Sequence, residues 1–350
     1  MADREAVGRS GAKIPGISAL EELVDDWDDL VSRTTTTNTQ ANTYDVAGRS
    51  VRITATDRPL GQKLLRSLAH LRVDDHGPYS LEVIVCEGRQ LGRDPYRMFG
   101  RATSPSGRAV VVRGSGSFFR FDPGDGILNV LDRTRRRAIF WAADQATLPY
   151  WEEHAPFRHI FGWWLEAEGF TVAHAAGVGT SDAGAIVVGA SGSGKSTVAL
   201  SCLGSGLRCS GDDYQLVQTD GQPHTFSLYS CVKLEPDGVA WFPRLAGSAE
   251  MVGGKARFFL NELWPEVLTR GFPIRAVLVP KITGGTSRLV PISGGAALAA
   301  LAPSSILQLR AVQGDPLGAM ARIVSYAHTF RLELGNDMEH VSSLVHQALE

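Results

Sequence analysis

Cysteine is scarce in this chain and never clustered. Cys86, Cys202, Cys209 and Cys231 are the only four in 350 residues. None has the paired spacing of a zinc ribbon or finger, and four scattered thiols do not make the framework of a disulfide-rich scaffold. They read as free thiols of a reducing compartment. Long hydrophobic runs are also missing. No stretch approaches the ~18 apolar residues that a membrane span needs, so no membrane partner is expected. Met1-Ala-Asp-Arg-Glu-Ala is charged and has no apolar core of a secretory leader, which makes the cytoplasm the expected location. Nor is there a surplus of charge. Lys and Arg number 35 against 37 Asp and Glu, a formal net charge of -2. That balance gives no bulk attraction to nucleic acid, and none is expected as a partner. What is present, 43% hydrophobic and 21% charged residues, is the composition of a globular protein.

The length allows two domains and a peripheral segment. Residues 1–42 form the segment. It holds the acidic run Asp25–Asp29 and the threonines Thr34 to Thr37. Ile17 to Val31 reads either as a short amphipathic helix, with Leu20, Leu23, Trp27 and Leu30 on one side, or as a solvated tail. Residues 43–147 have the texture of short strands: Val51–Thr54, Leu81–Val85, Ala109–Arg113, Ser117–Phe121 and Arg137–Trp141. Turn signals such as Pro123-Gly-Asp-Gly126 separate them, and Leu60, Leu64, Leu68 and Leu71 sit at helical spacing. This is the pattern of a small, mostly antiparallel α+β domain. Arg133, Arg135, Arg136 and Arg137 read as a solvated hairpin in preference to a docking patch. Residues 148–350 form the larger, α/β domain. A helix is expected over Trp151–Gly169, ended by its glycine. Strands are expected at Phe170–His174, Ala185–Val188, Arg208–Ser210, Tyr214–Gln218, Val232–Leu234 and Arg275–Val279, with a closing helix over Asp337–Leu349.

One motif carries chemistry. Gly189-Ala-Ser-Gly-Ser-Gly194-Lys195-Ser196 reads G-x-x-x-x-G-K-[ST], between the strand-like Ala185–Val188 and the helix-like Thr197–Leu203. That order is what a phosphate-binding loop requires. The backbone N–H groups of Gly189, Ala190, Ser191, Gly192, Ser193 and Gly194 turn around a phosphate, and the helix beginning near Thr197 adds its positive end. Lys195 reaches the outer phosphates, and the Ser196 hydroxyl takes a place on Mg²⁺. ATP and Mg²⁺ are the expected cofactors. Downstream comes Cys209-Ser-Gly-Asp212-Asp213, with two adjacent carboxylates at a strand end. One of them could hold the metal while the other accepts a proton from an attacking hydroxyl, or the pair is only a turn. His174 and Glu235 each follow a strand and are ambiguous in isolation. The chain has neither the Asn/Thr-Lys-x-Asp sequence that reads guanine nor the Leu-Ser-Gly-Gly-Gln signature of transporter motors.

Taken together, these pieces resemble the catalytic domain of the HPr kinase/phosphorylase family, whose fold is related to phosphoenolpyruvate carboxykinase. The resemblance runs over roughly residues 174–257. It rests on His174, the linker Gly177–Gly184, the loop Gly189–Ser196, the segment Gly206-Leu-Arg-Cys-Ser-Gly-Asp212-Asp213 and the start of a signature at Leu234-Glu235-Pro-Asp-Gly238. It implies a P-loop fold of that type, with Asp212 as the proton-accepting base, His174 assisting it, and Asp213 and Glu235 on the metal. Lys255 and Arg257 fall where the family has a basic loop near the reacting phosphate. The signature departs from the family after Glu235, with Pro236-Asp237 and a tail, Val239-Ala-Trp241, that lacks the second glycine. These departures bear on the reverse, phosphorylase, reaction. The expected activity is an ATP-dependent kinase acting on a hydroxyl, most simply a serine of a peptide or protein. A small-molecule kinase and a nucleotide-binding regulatory module are the alternatives. The expected partners are ATP, the hydroxyl acceptor and, as one option, further copies of the chain.

Overall fold

A computed structural model describes residues 22–23, 25–34, 39–74, 77–99, 109–113, 116–308 and 315–350. The chain is a mixed α/β structure with several sheets. It divides into two compact units. The first holds residues up to Asn42, Arg52–Gly61 and Tyr79–Pro149; the second holds Thr43–Val51, Gln62–Pro78 and Tyr150–Glu350. Early in the chain come strands β1 (Gln40–Val46), β2 (Arg49–Ala55) and β3 (Arg72–Val73). Between the last two, the expected helix forms as an α-helix over Arg58–Leu65 that tightens to a 3₁₀ helix over Arg66–Leu71. All five of its leucines are buried.

In the first unit, β4 (Leu81–Glu87), β5 (Val110–Arg113), β6 (Ser117–Asp122), β7 (Ile127–Asp132) and β8 (Arg137–Ala142) lie in the order β4-β8-β7-β6-β5. The β4–β8 pair is parallel and the other three pairs are antiparallel. Phe119, Phe121, Leu128, Val130, Ile139 and Trp141 build the core, and Leu23, Trp27 and Leu30 pack into it. The N-terminal helix is thus core-forming over its described part, Trp27–Thr34; Ile17 and Leu20 lie outside the described residues. The acidic and basic runs also meet. Arg135 pairs with Asp132 and with Asp25, each at 2.8 Å, and the Arg137 guanidinium lies 5.1 Å from the Trp27 ring. Strand β7 was not expected. Every one of its residues is buried, so it lacks the in–out alternation by which a strand is recognised.

In the second unit the chain forms β9 (Phe170–Ala173), β10 (Ala175–Gly179), β11 (Gly184–Val188), β12 (Arg208–Gly211), β13 (Gln215–Gln218) and β14 (His224–Phe226). There follow β15 (Cys231–Leu234), β16 (Glu250–Val252), β17 (Lys255–Phe259), β18 (Gly271–Ile282), β19 (Arg288–Pro291) and β20 (His328–Leu334). The large sheet runs β12-β10-β11-β18-β14-β13-β9, with β20 beside β18 and β19 beside β20. At its centre β11, β18 and β20 are parallel, and a central parallel strand needs cover on both faces. The run Ala185–Val188 supplies it. Ala185 and Val187 pack with Val198, Val341 and Val345 from the helices Lys195–Ser201 and Met338–Leu349. Ile186 and Val188 pack with Leu301, Met320 and Ile323 from the helices Gly294–Gln308 and Pro316–Tyr326. A smaller antiparallel sheet has the order β15-β17-β16.

One expectation is corrected. The single helix over Trp151–Gly169 is two helices, Tyr150–His154 and Arg158–Glu166. Pro156 offers no N–H and disfavours helical backbone at Ala155, and Phe157 takes a left-handed φ of 58°. The hairpin-like linker Gly177–Gly184 forms as the closed end of the antiparallel pair β10–β11, with Gly179 opposite Gly184. All four cysteines are buried and free. Among the described residues, no helix is long and apolar enough to cross a membrane.

Candidate active site

The loop leaving β11 is shaped by its glycines. Gly189 and Gly194 have φ values of 149° and 104°, and a β-carbon at Gly194 would lie 2.7 Å from the Leu334 side chain. No other residue fits there without displacing Leu334. The loop delivers Lys195 and Ser196 to the first turn of the helix Lys195–Ser201. Lys195 is buried, and its Nζ donates to the carbonyls of Gly189 and Ala190 at 2.9 and 3.1 Å. Burial lowers its pKa, an effect that Asp212 and Asp213 oppose.

The two aspartates follow β12 and point to different partners. The Tyr214 N–H donates to the Asp212 carbonyl at 2.8 Å, so Asp213 is the middle of a γ-turn, with a φ of 65°. That turn separates the neighbouring carboxylates. Asp212 is 1% exposed; its Oδ2 accepts from Ser196 Oγ at 2.6 Å, while its Oδ1 is buried with no hydrogen-bond partner. Burial raises its pKa, and the charge of Asp213 adds to the rise. Asp213 instead forms an ion pair with Lys233 and has His174 Nε2 at 3.7 Å. Burial by itself would raise its pKa, but His174 and Lys233 outweigh that and hold it well below the usual carboxylate range. Lys233 answers in kind. Burial alone would lower its pKa, and Asp213 more than reverses this.

A cavity of about 500 Å³ opens over these groups. It lies past the carboxyl ends of β11, β18 and β20, the usual place for a ligand in an α/β sheet. Ser191, Gly192, Gly194, Lys195, Ser196 and Thr197 line it, with Asp213, His174, Glu235 and Lys255. Glu235 and Lys255 are joined to each other at 2.8 Å. Gly189, Ala190, Ser193 and Asp212 lie behind this lining. Arg257 is also outside it, held by Glu153 at 2.6 Å and by Glu250 at 2.6 and 3.1 Å. Lys233, His154, Trp151 and Trp241 line the cavity and were not expected. Lys233 had a signal, a lone cation in the apolar strand Cys231-Val-Lys-Leu. The other three had none.

Mg²⁺ fits this donor set. A buried carboxylate oxygen without a partner, beside a serine hydroxyl, is what a hard cation satisfies. Among the described residues no three or more His, Cys, Asp or Glu side chains cluster closely enough to hold a metal. Mg²⁺ in nucleotide sites typically takes one or two carboxylates and completes its shell with phosphate oxygens and water.

Two buried histidines make the second unit sensitive to acid. Burial, aided by nearby cations, pushes both His70 and His154 down to about 3 from 6.5. Their folded pKa values lie below the unfolded one, so the unfolded chain takes up protons that the folded chain refuses. Stability is therefore full above pH 6.5 and falls as the pH drops toward about 3, by up to about 1.4 kcal/mol per pH unit for each histidine. Urea midpoints measured between pH 7 and 5.5 should fall. A flat profile would mean that neither ring is held neutral by burial.

No protein-family model matches the chain, and no curated protein matches it in sequence. Among solved structures it is similar to the Hpr(Ser) kinase/phosphatase from Coxiella burnetii, at 10% identity over 51% of this chain and 95% of that one. The TM-score is 0.27, and a likeness of that size supports no conclusion about fold or activity.

Proposed function

We propose that the chain is an ATP-dependent phosphotransferase that moves the γ-phosphoryl group to a hydroxyl, a peptide or protein serine in the reading that the sequence resemblance suggests. One observation carries the proposal. Ser196, in the loop motif and lining the cavity, donates at 2.6 Å to Asp212, whose second oxygen is buried and unpartnered behind that lining.

The loop backbone and Lys195 bind the triphosphate, and Lys195 exchanges its two carbonyl contacts for phosphate oxygens. Ser196 and Asp212 would hold Mg²⁺, which when bound offsets charge on the phosphates. Asp213 lines the cavity, steadied by Lys233 and His174, and receives the acceptor's proton. As the acceptor oxygen bonds to the γ-phosphorus, the bond to the bridging oxygen breaks and ADP leaves. The carboxylate roles are thus the reverse of those the resemblance implies. Geometry takes precedence over basicity in choosing a base, and phosphoryl transfer depends on positioning more than on a strong base. Lys255 and Glu235 would trade their mutual pair for contacts with phosphate and metal. Arg257 is assigned to holding the small sheet.

The test is ATP binding by calorimetry, with and without Mg²⁺. Wild type should bind more tightly with Mg²⁺ present, and Ser196→Ala should lose that gain while keeping the metal-free affinity. A wild-type protein that binds no ATP would overturn the proposal.

A further inference from the structure

One histidine at the cavity has no part in these steps. His154 ends the helix Tyr150–His154, is 4% exposed and lines the cavity. Both of its ring nitrogens are buried, and neither has a hydrogen-bond partner. Buried polar atoms are nearly always paired, so an imidazole with two open positions calls for partners from a bound molecule. The helix that carries the ring is tied down. Glu152 ties the helix to Arg158 at 2.9 Å, Glu153 ties it to Arg257 at 2.6 Å, and the Tyr150 ring lies 5.2 Å away.

The ring is also neutral. Burial first, then Lys233 and Arg257, push its pKa down to about 3, against the opposing pull of Asp213. A neutral imidazole donates from one nitrogen and accepts at the other. Ionised phosphate and carboxylate oxygens only accept, so they would leave the second nitrogen unsatisfied. The two nitrogens face nearly opposite ways, so an alcohol satisfies both only when its molecule carries a second donor roughly 7 Å from the hydroxyl. The cavity's cations are otherwise committed, Lys233 to Asp213 and Lys195 and Lys255 to the phosphates in the proposed reaction. Trp151 and Trp241, 39% and 49% exposed, line the same space and offer flat apolar faces.

Resting on the phosphotransferase reading, we propose that His154 positions the acceptor. One ring N–H donates to the acceptor hydroxyl oxygen, the other nitrogen takes a second donor of the same molecule, and the acceptor's carbon face lies against Trp151 and Trp241. The acceptor is then an uncharged alcohol whose second N–H or O–H lies roughly 7 Å from its hydroxyl, as in a serine followed by further peptide, and not an already ionised group.

The capped peptide N-acetyl-Ser-Gly-Gly-amide, uncharged and with peptide N–H groups roughly 7 Å from its hydroxyl, is the probe, with the non-hydrolysable ATP analogue adenylyl imidodiphosphate and Mg²⁺ present. Calorimetry reads the nucleotide, and the NMR signal of the His154 ring C–H reads the probe. The His154 signal should shift as the probe is added to wild type. His154→Phe should bind the analogue within about twofold of wild type and the probe at least about tenfold more weakly, and His154→Gln, which restores a donor and an acceptor, should recover most of the loss. A wild-type ring that ignores the probe overturns the proposal even if the variants do not fold. So does a folded His154→Phe that binds the probe normally, or one that loses analogue and probe together. Failure of wild type to bind the analogue is a separate result; it overturns the nucleotide reading and takes this one with it.

Discussion

Lys195→Ala should reduce phosphoryl transfer by about 10²–10³-fold while leaving the fold intact. The lysine's hydrogen bonds run back to its own loop, to the carbonyls of Gly189 and Ala190, so its removal breaks no contact between distant elements. Alanine is also the best helix former, and position 195 opens a helix. What is lost is a preorganised cation facing the charge that develops on the transferring group, and removal of one such contact typically costs on the order of 10²–10³ in turnover. Turnover at saturating ATP, beside a far-UV circular dichroism spectrum, checks the prediction. Retention of more than about a tenth of wild-type turnover would remove Lys195 from the proposed mechanism.

The aspartate pair should split into two different phenotypes. Asp213→Asn keeps the shape of the side chain, and asparagine tolerates the left-handed backbone of the γ-turn. Its amide accepts no proton at neutral pH. Turnover should fall by about 10²–10⁴-fold, the usual contribution of a general base, with affinity for Mg·ATP little changed. Asp212→Asn should instead raise the Mg²⁺ concentration needed for activity, because a neutral amide is a poorer ligand for a hard cation. Parallel titrations of ATP and Mg²⁺ on the two variants distinguish the roles. If Asp212→Asn is the inactive variant and Asp213→Asn the metal-dependent one, the assignment implied by the sequence resemblance is restored. If both stay active, the pair is a turn and the phosphotransferase reading loses its chemistry.

How much of this could be read beforehand depended on whether the signal was local. The loop was legible because its glycines, its lysine and its flanking strand and helix are consecutive, and each is required by backbone geometry. The adjacency of Asp212 and Asp213 was legible too, but not their opposite orientations. Those depend on the φ of one residue, on Lys233 from β15 and on His174 from the junction of β9 and β10. His154, Trp151 and Trp241 gave no signal because an α-helix and a 3₁₀ helix distant in sequence bring them to one cavity. In the fold, β7 was hidden by burial on both faces. The helices Gly294–Gln308 and Pro316–Tyr326 were not foreseen either; the first begins at paired glycines and contains Pro303. Pro156, by contrast, was a visible breaker inside the expected Trp151–Gly169 helix, and the apolar periodicity around it concealed its effect.

The buried thiols have a practical meaning. Burial pushes the Cys209 sulfhydryl up to about 12 and raises those of Cys86, Cys202 and Cys231 as well. The thiolate is the nucleophile, so alkylating reagents and disulfides find nothing to attack while the chain is folded. The four sulfurs become reactive only when their surroundings open, Cys86 with the first unit and the other three with the second. Site-resolved alkylation therefore times the opening of each unit separately, without any label added to the protein.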